Sequence, residues 1–243
     1  MELPKTKVKA ESINPGVMIL YSKPKIGKTT LLSKLSDCLI VDLEEGTKYL
    51  NALKVKINSL EELQELGEKI ISEGRPYKYI AIDTATALED MIAPEANAMY
   101  RATPMGKNFD PSEDILNLPR GGGYLYFRRA YLKWLNKLIK LAPHVILVGH
   151  LKDSMIEKNG KEVEIKDLDL TGKLKSIVCS QVDAIAYMYR DADSNLVMNF
   201  KGSEEVTCGA RPNHLKGQEI IVAGYDSTKN DLVDIQWDKI YLK

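Results

Sequence analysis

The chain has 243 residues and 27.3 kDa, with 44% hydrophobic and 28% charged residues. That is enough for one large domain or two small ones, and it excludes collagenous, disordered and disulfide-stapled classes. The 34 Lys/Arg balance 34 Asp/Glu, so the whole-molecule field cannot drive generic attachment to nucleic acid or an anionic membrane, and any such binding needs a local patch.

The first 16 residues, MELPKTKVKAESINPG, hold no apolar run of the signal-peptide kind, and no stretch approaches the roughly 18 consecutive apolar residues of a membrane span. The expectation is a short N-terminal segment (1–16) and one domain over 17–243, soluble and retained where it is made. Cys38, Cys179 and Cys208 lie far apart, in no C-x-x-C or Cys/His ligand spacing, and read as reduced thiols of a cytosolic protein.

Val17–Tyr21 (VMILY), bounded by Pro15-Gly16 and Lys23-Pro24, fits a buried strand. Ser22-Lys23-Pro24-Lys25-Ile26-Gly27-Lys28-Thr29, followed by Thr30, matches G-x-x-x-x-G-K-[ST] with Ser in place of the first glycine. Strand before and helix after are the context that makes this phosphate-binding motif credible. Gly27 lets backbone N–H groups turn toward phosphate oxygens, and a helix starting near Lys28 adds its positive end. Lys28 would reach the β- and γ-phosphates of ATP, and the Thr29 hydroxyl would ligate Mg²⁺.

Cys38–Leu43 is a second buried strand ending in acids. Glu44 and Glu45 at that end are the candidates to orient or deprotonate an attacking water, because carboxyl ends of parallel strands face one crevice. Ser59 and Glu62 form a capping box for a helix with Leu63, Leu66 and Ile70 on one face. Tyr79–Asp83 (YIAID) delivers Asp83 to the sheet edge as the second Mg²⁺ residue. A helix near Thr86–Tyr100, an irregular stretch too long for an ordinary connection, and a helix over Tyr124–Leu141 follow. Val145–Gly149 is the fourth buried strand, and His150 at its end is a candidate γ-phosphate sensor. SMIEKNGKEVEI reads as a hairpin turning at Asn159-Gly160. A helix near Leu174–Ser180, strands at Ala184–Tyr189 and Leu196–Phe200, and a β-rich tail complete an α/β pattern, a mostly parallel sheet covered by helices on both faces.

KPKIGKTT, LIVDLEEGT, YIAIDTATAL and VILVGHLKD, in that order, resemble the RecA-like P-loop ATPase core, most closely the small phage-encoded RecA-like ATPases implicated in single-strand annealing and recombination. GKLKSIVCSQVDAIAYMYR and GARPNHLKG extend the resemblance over roughly Val17 to Leu215. It implies ATP and Mg²⁺ as ligands, ATP hydrolysis, Glu44 as the catalytic carboxylate, and His150 as the link from γ-phosphate to a DNA-binding loop. It further implies a cytoplasmic protein (the host cytoplasm for a phage protein), assembled as a ring or filament with ATP between subunits. Lys201, Arg211 and Lys216 are the candidates to complete a neighbour's site.

The same resemblance makes 101–123 and 151–172 DNA-facing loops. From Ile115 to Lys152 there are seven Lys/Arg and no Asp/Glu, with Arg129, Lys133 and Lys137 spaced by four and Tyr124, Tyr126 and Phe127 nearby for base stacking. The second loop departs from expectation, with six acids against three lysines between Asp153 and Asp169, a poor surface for phosphodiesters. The function expected is a Mg²⁺-dependent ATPase acting on single-stranded DNA. The alternatives are a RecA-like NTPase with a protein client, such as a helicase loader, or a nucleotide-binding scaffold or virion-associated protein with little turnover.

Overall fold

The computed structural model describes residues 3, 5–158 and 160–243. Along the chain run β1 (Val17–Ser22), α1 (Lys28–Ser33), β2 (Cys38–Asp42), β3 (Leu53–Lys56), α2 (Leu60–Ser72), β4 (Tyr79–Asp83), α3 (Ala85–Arg101), α4 (Gly123–Leu138), β5 (His144–Lys158), β6 (Lys161–Leu168), α5 (Leu174–Gln181), β7 (Ala184–Arg190), β8 (Leu196–Asn199), β9 (Gly209–Ala210), β10 (Glu219–Asp226) and β11 (Asp231–Val233). The sheet order is β11-β10-β8-β7-β1-β5-β4-β2-β3. The half from β3 to β7 is parallel, while β8, β10 and β11 add antiparallel strands.

The parallel strands are apolar on both sides because both of their faces are covered. Along β1, Ile19 and Tyr21 enter one core with α2, α3, α4 and α5, while Met18 and Leu20 enter the other with α1. The second face has few helical residues: α1 is only six residues long, and Trp237, Ile240 and Tyr241 of the C-terminal segment complete the cover. The Trp237 indole N–H donates to the Leu31 carbonyl at 3.0 Å, tying that segment to α1.

The elements differ from expectation in three places. β3 is an added parallel edge strand, mostly exposed and pairing only with β2. The capping box at α2 is shifted: Ser59 accepts from the Glu62 N–H, but Glu62 accepts from the N–H of Asn58 rather than of Ser59. The irregular stretch 101–123 is anchored, because Asn97 donates its side-chain amide to the carbonyls of Pro111 and Glu113 and Ile115 is fully buried. A Cβ on Gly123 would collide with the Ile115 carbonyl, so the chain closes onto α4 only with glycine there. The expected hairpin forms from β5 and β6 in the register Lys158↔Lys161. Gly160 is left-handed at φ 74, and Asn159 of the expected turn lies outside the described residues.

The basic stripe of α4 is exposed, but each of its cations is engaged by a neighbour. Lys133 pairs with Glu95 of α3, Lys137 donates to Gln64 of α2 and stands over the Trp134 ring, and Arg129 covers the Tyr126 ring. Phe127 is 3% exposed and Tyr126 packs on Tyr100. The expectation that Phe127 and Tyr126 stack on bases is therefore corrected: their rings are part of the packing between α3 and α4.

Candidate functional site

The carboxyl ends of β1, β2, β4 and β5 converge on one cavity of about 360 Å³, whose walls include Lys28, Thr29, Glu44, Asp83, Thr84 and His150. The parallel register explains the convergence: Asp42 lies opposite Asp83, Asp83 opposite Val148, and Ser22 opposite His150. Ends of adjacent strands thus deliver their side chains to the same edge.

The loop after β1 turns through a left-handed Lys25 (φ 61) and Gly27 (φ 121), a path glycine permits at the second position. Lys28 is buried, and its ammonium donates to the Ser22 hydroxyl at 3.0 Å and to the carbonyls of Ser22 and Lys23, both at 3.3 Å. All three partners are neutral. Burial lowers the Lys28 pKa, opposed by the charges of Asp83 and Glu44, so the site holds a desolvated cation aimed at a place for an anion. Ser22, which stands where the motif has glycine, is itself fully buried and holds this lysine. α1 is too short for its dipole to matter much; the loop and Lys28 carry the positive character.

The Thr29 hydroxyl donates to the Asp83 carboxylate at 2.7 Å. Asp83 is 4% exposed, and burial raises its pKa, with the Thr29 hydrogen bond and Lys28 opposing and Glu44 and Asp42 adding to the rise. A carboxylate and a hydroxyl side by side, both oxygen donors, fit Mg²⁺, which takes a few protein oxygens and leaves the rest of its shell to water and phosphate. A divalent charge would also relieve the burial cost of Asp83.

Glu44 accepts from the Thr84 hydroxyl at 2.5 Å and lies 3.1 Å from His150 Nε2 through each of its oxygens. Thr84 also accepts from the Ala87 N–H as N-cap of α3, so a helix terminus holds the glutamate in place. His150 Nδ1 is buried with no hydrogen-bond partner among the described residues. Glu45 is not brought into this group: it is left-handed at φ 61, does not line the cavity and pairs with Lys56 on the surface.

Of the loop residues, Pro24, Lys25, Gly27, Lys28, Thr29 and Thr30 line the cavity, while Ser22, Lys23 and Ile26 do not. Lys23 reaches across to Asp153 of the hairpin at 3.1 Å. Lys201, Arg211 and Lys216 are all away from the cavity; Arg211 pairs with Asp183 at 3.2 Å beside the amino ends of β1 and β7.

Two functional-looking residues escaped the sequence reading. Asp42 accepts from the N–H groups of Glu44, Gly46 and Thr47 and from the Thr47 hydroxyl, folding 42–47 into the turn that presents Glu44. An acid followed by Gly and Thr four and five residues on is the available signal for such a loop. Burial would raise the Asp42 pKa, but the Thr47, Glu44 and Gly46 hydrogen bonds outweigh it and hold it below the ordinary range. The other is Arg190, at the end of β7, for which the sequence carries no motif.

Fold and cavity together define an α/β protein with a mostly parallel, helix-flanked sheet and a P-loop at its edge. The chain belongs to the AAA domain family, whose sequence model matches residues 14–211. No curated protein matches it. Among solved structures, a KaiC-like protein from the hyperthermophilic archaeon Pyrococcus horikoshii is similar at 12% identity and TM-score 0.44, over 90% of this chain and 89% of that one. The RadB recombinase is similar at 13% identity and TM-score 0.47, over 92% and 93%. No described helix is long and apolar enough to cross a membrane, and the three cysteines are free.

Proposed function

We propose that this chain binds MgATP in the cavity at the sheet edge and hydrolyses it to ADP and phosphate. The observation that carries the reading is the Thr29–Asp83 contact at 2.7 Å beside a buried Lys28 whose partners are all neutral. In this reading Lys28 and the Gly27 backbone hold the β- and γ-phosphates, and Thr29 and Asp83 hold Mg²⁺. The metal supplies positive charge against the phosphate oxygens. Glu44, fixed by Thr84 and His150, orients and deprotonates the attacking water, and the loss of one of its hydrogen bonds is felt at His150, where β5 becomes the hairpin. Lys23–Asp153 makes a second tie from phosphate loop to hairpin, while Thr86 bonds the Asp169 carbonyl and Glu89 bonds Thr171 at its base, where the Asp169 N–H donates to the His150 carbonyl. These contacts support a hairpin whose position follows the nucleotide.

We further infer a cytoplasmic ATPase folded as one unit over 17–243, acting on single-stranded DNA, as in phage recombination, from a ring or filament of copies in which Lys201, Arg211 or Lys216 serves a neighbour. Arg120, Arg128 and Lys140 make no ion pair among the described residues and are cations available to a phosphate backbone, and Arg129 and Lys137 are held only by neutral partners. One observation favours a protein client instead. Strand alternation and the β5–β6 register place Asp153, Glu157, Glu162 and Glu164, all exposed, with Lys166 on one face of the hairpin; Lys23 and Lys166 pair with Asp153 and Glu164, and the excess of acids disfavours a phosphodiester.

ATP hydrolysis measured with and without single-stranded DNA tests the whole. Lys28→Ala abolishes turnover in a folded protein, and single-stranded DNA raises the wild-type rate. A Lys28→Ala variant with normal turnover removes the site assignment, and wild-type turnover indifferent to DNA moves the client to protein.

A further inference from the structure

Two patches at opposite ends of the sheet have complementary chemistry. The first is a groove of about 260 Å³ where α2 and α4 run toward the starts of β4 and β5, lined by Leu63, Gly67, Ile71, Trp134, Leu138 and Leu141. Ile71 is 48% exposed there. Arg75, Lys137 and Lys140 also line it, all exposed and none in an ion pair among the described residues. The acid among the lining residues, Glu68, accepts from the Gln64 amide. The volume is small for a metabolite, whose sites take about 300 Å³ or more, and it suits one large apolar side chain. Gly67 is helical and no positive φ requires a glycine. A Cβ there would meet Leu141 at 3.7 Å, an ordinary contact, so alanine would fit and would favour the helix. The glycine keeps the groove open at some cost to α2.

The second patch is the end of the β5–β6 hairpin. Asp153, Met155 and Glu157 share a face with Glu162, Glu164 and Lys166. Lys23 pairs with Asp153 and Lys166 with Glu164, while Glu157 and Glu162 make no ion pair among the described residues. These two stand directly opposite each other across the strands, an arrangement of like charges that weakens a strand pair. Met155, 58% exposed, lies two residues from Glu157 on the same face.

We propose that the hairpin end of one copy docks in the α2–α4 groove of a second copy, with Met155 entering over Gly67 and with Glu157 and Glu162 meeting Arg75, Lys137 and Lys140. The proposal rests on the reading of an assembled chain above, and not on the phosphate site. An apolar anchor beside two carboxylates is what an apolar groove edged by cations accepts, and the docked cations relieve the Glu157–Glu162 opposition. Strand length makes the contact intermolecular. Lys140 and Leu141 stand just before β5, which then runs 15 residues to the hairpin turn, about 50 Å at roughly 3.3 Å per residue. A chain's own hairpin end therefore points away from its own groove. Each copy uses a different surface on its two neighbours, and such head-to-tail pairing propagates into a ring or a filament.

Sedimentation velocity on the full chain, with and without MgATP, tests the contact with two substitutions at exposed positions: Lys140→Glu in the groove and Met155→Glu on the hairpin. Thermal melting checks that each folds. The Lys140 carbonyl that accepts from Arg75 Nε at 2.9 Å is backbone and survives the substitution. Each variant is expected to associate at least tenfold more weakly than the wild type, and the wild type to associate more weakly as salt rises. The equimolar mixture carries the most weight. The intact hairpin of the Lys140→Glu chain fits the intact groove of the Met155→Glu chain, so two monomeric variants combine into a dimer that cannot grow. A wild type that stays monomeric throughout overturns both this contact and the ring or filament reading. A wild type that assembles, with neither substitution weakening it, overturns the contact alone and leaves assembly to another surface. A mixture that remains monomeric, or that grows beyond a dimer, overturns the head-to-tail pairing.

Discussion

Asp42→Asn tests the support of the turn that presents Glu44 to the cavity. The wild-type carboxylate takes the Glu44 and Gly46 N–H groups on Oδ1, each at 3.1 Å, and the Thr47 N–H at 2.9 Å and hydroxyl at 2.5 Å on Oδ2. Asparagine keeps the first oxygen and puts an NH₂ where the second stood, facing the Thr47 N–H donor to donor. The Thr47 hydroxyl can rotate to accept, so the net loss is one hydrogen bond to a charged group plus one stranded buried donor, about 2–3 kcal/mol. For a chain of this size that lowers the Tm by roughly 4–12 °C. The sign with pH follows from the depressed Asp42 pKa. The folded state holds this carboxylate ionised below its unfolded pKa, so its contribution is fully present above the ordinary Asp range and is lost as pH falls through the depressed value. Thermal unfolding of wild type and variant from neutral to acid pH is the assay: the two melting curves converge on acidification. Turnover is expected to fall less than tenfold, with little change in KM for ATP, because the retained oxygen still accepts the Glu44 and Gly46 N–H groups and only the Thr47 side of the turn loses its acceptor. A variant as stable as wild type at neutral pH, or a stability gap that persists unchanged into acid, refutes the reasoning.

Glu44→Gln is expected to retain MgATP affinity and lose turnover by at least a hundredfold, measured by single-turnover hydrolysis, since the amide keeps the Thr84 and His150 neighbours but cannot take a proton. Glu45→Ala should change both stability and turnover little, within about 0.5 kcal/mol by urea unfolding, because its ion pair among the described residues is a surface one with Lys56. Metal binding should weaken on acidification from a pH above the ordinary Asp range, because burial raises the Asp83 pKa and the proton competes with Mg²⁺ for the same oxygens. Calorimetry in buffers of different ionisation enthalpy reads the proton released, and Asp83→Asn should abolish both that release and the tight Mg²⁺ dependence.

How far the sequence led depended on what each residue's role requires. β1, β2 and β4 were legible because strands buried on both faces need unbroken apolar runs, and the gathering of Lys28, Thr29 and Asp83 at one cavity because the carboxyl ends of parallel strands face one crevice. β3 (LKVK) was not, because an exposed edge strand has no such run and is defined by its partner β2. Glu44 and Glu45 are equivalent in composition and adjacent in order. They separate only in three dimensions, where Asp42 captures the Glu44 N–H and the left-handed Glu45 turns out toward Lys56. Arg190 becomes visible only when β7 lies beside β1, an arrangement set by long-range pairing and not by any local pattern.

The balanced net charge illustrates the same limit and yields a number that decides the client. A run without acids from Ile115 to Lys152 predicts a basic face, but an i, i+4 stripe says nothing of what packs against it. In the folded chain Lys133 meets Glu95, Lys137 meets Gln64 and Trp134, and Arg129 meets Tyr126. If only Arg120 and Arg128 reach phosphates, the slope of log K against log salt for single-stranded DNA is about −1.4 per subunit, at roughly 0.7 per contact; if Arg129, Lys133 and Lys137 are added it is about −3.5. Arg128→Ala then halves the smaller slope, whereas Lys133→Ala leaves it alone and instead loosens α3 from α4. A steep slope that falls with Lys133→Ala would mean that α4 releases its partners when DNA binds, and the pairing seen in the free chain would be the resting arrangement of a surface that opens.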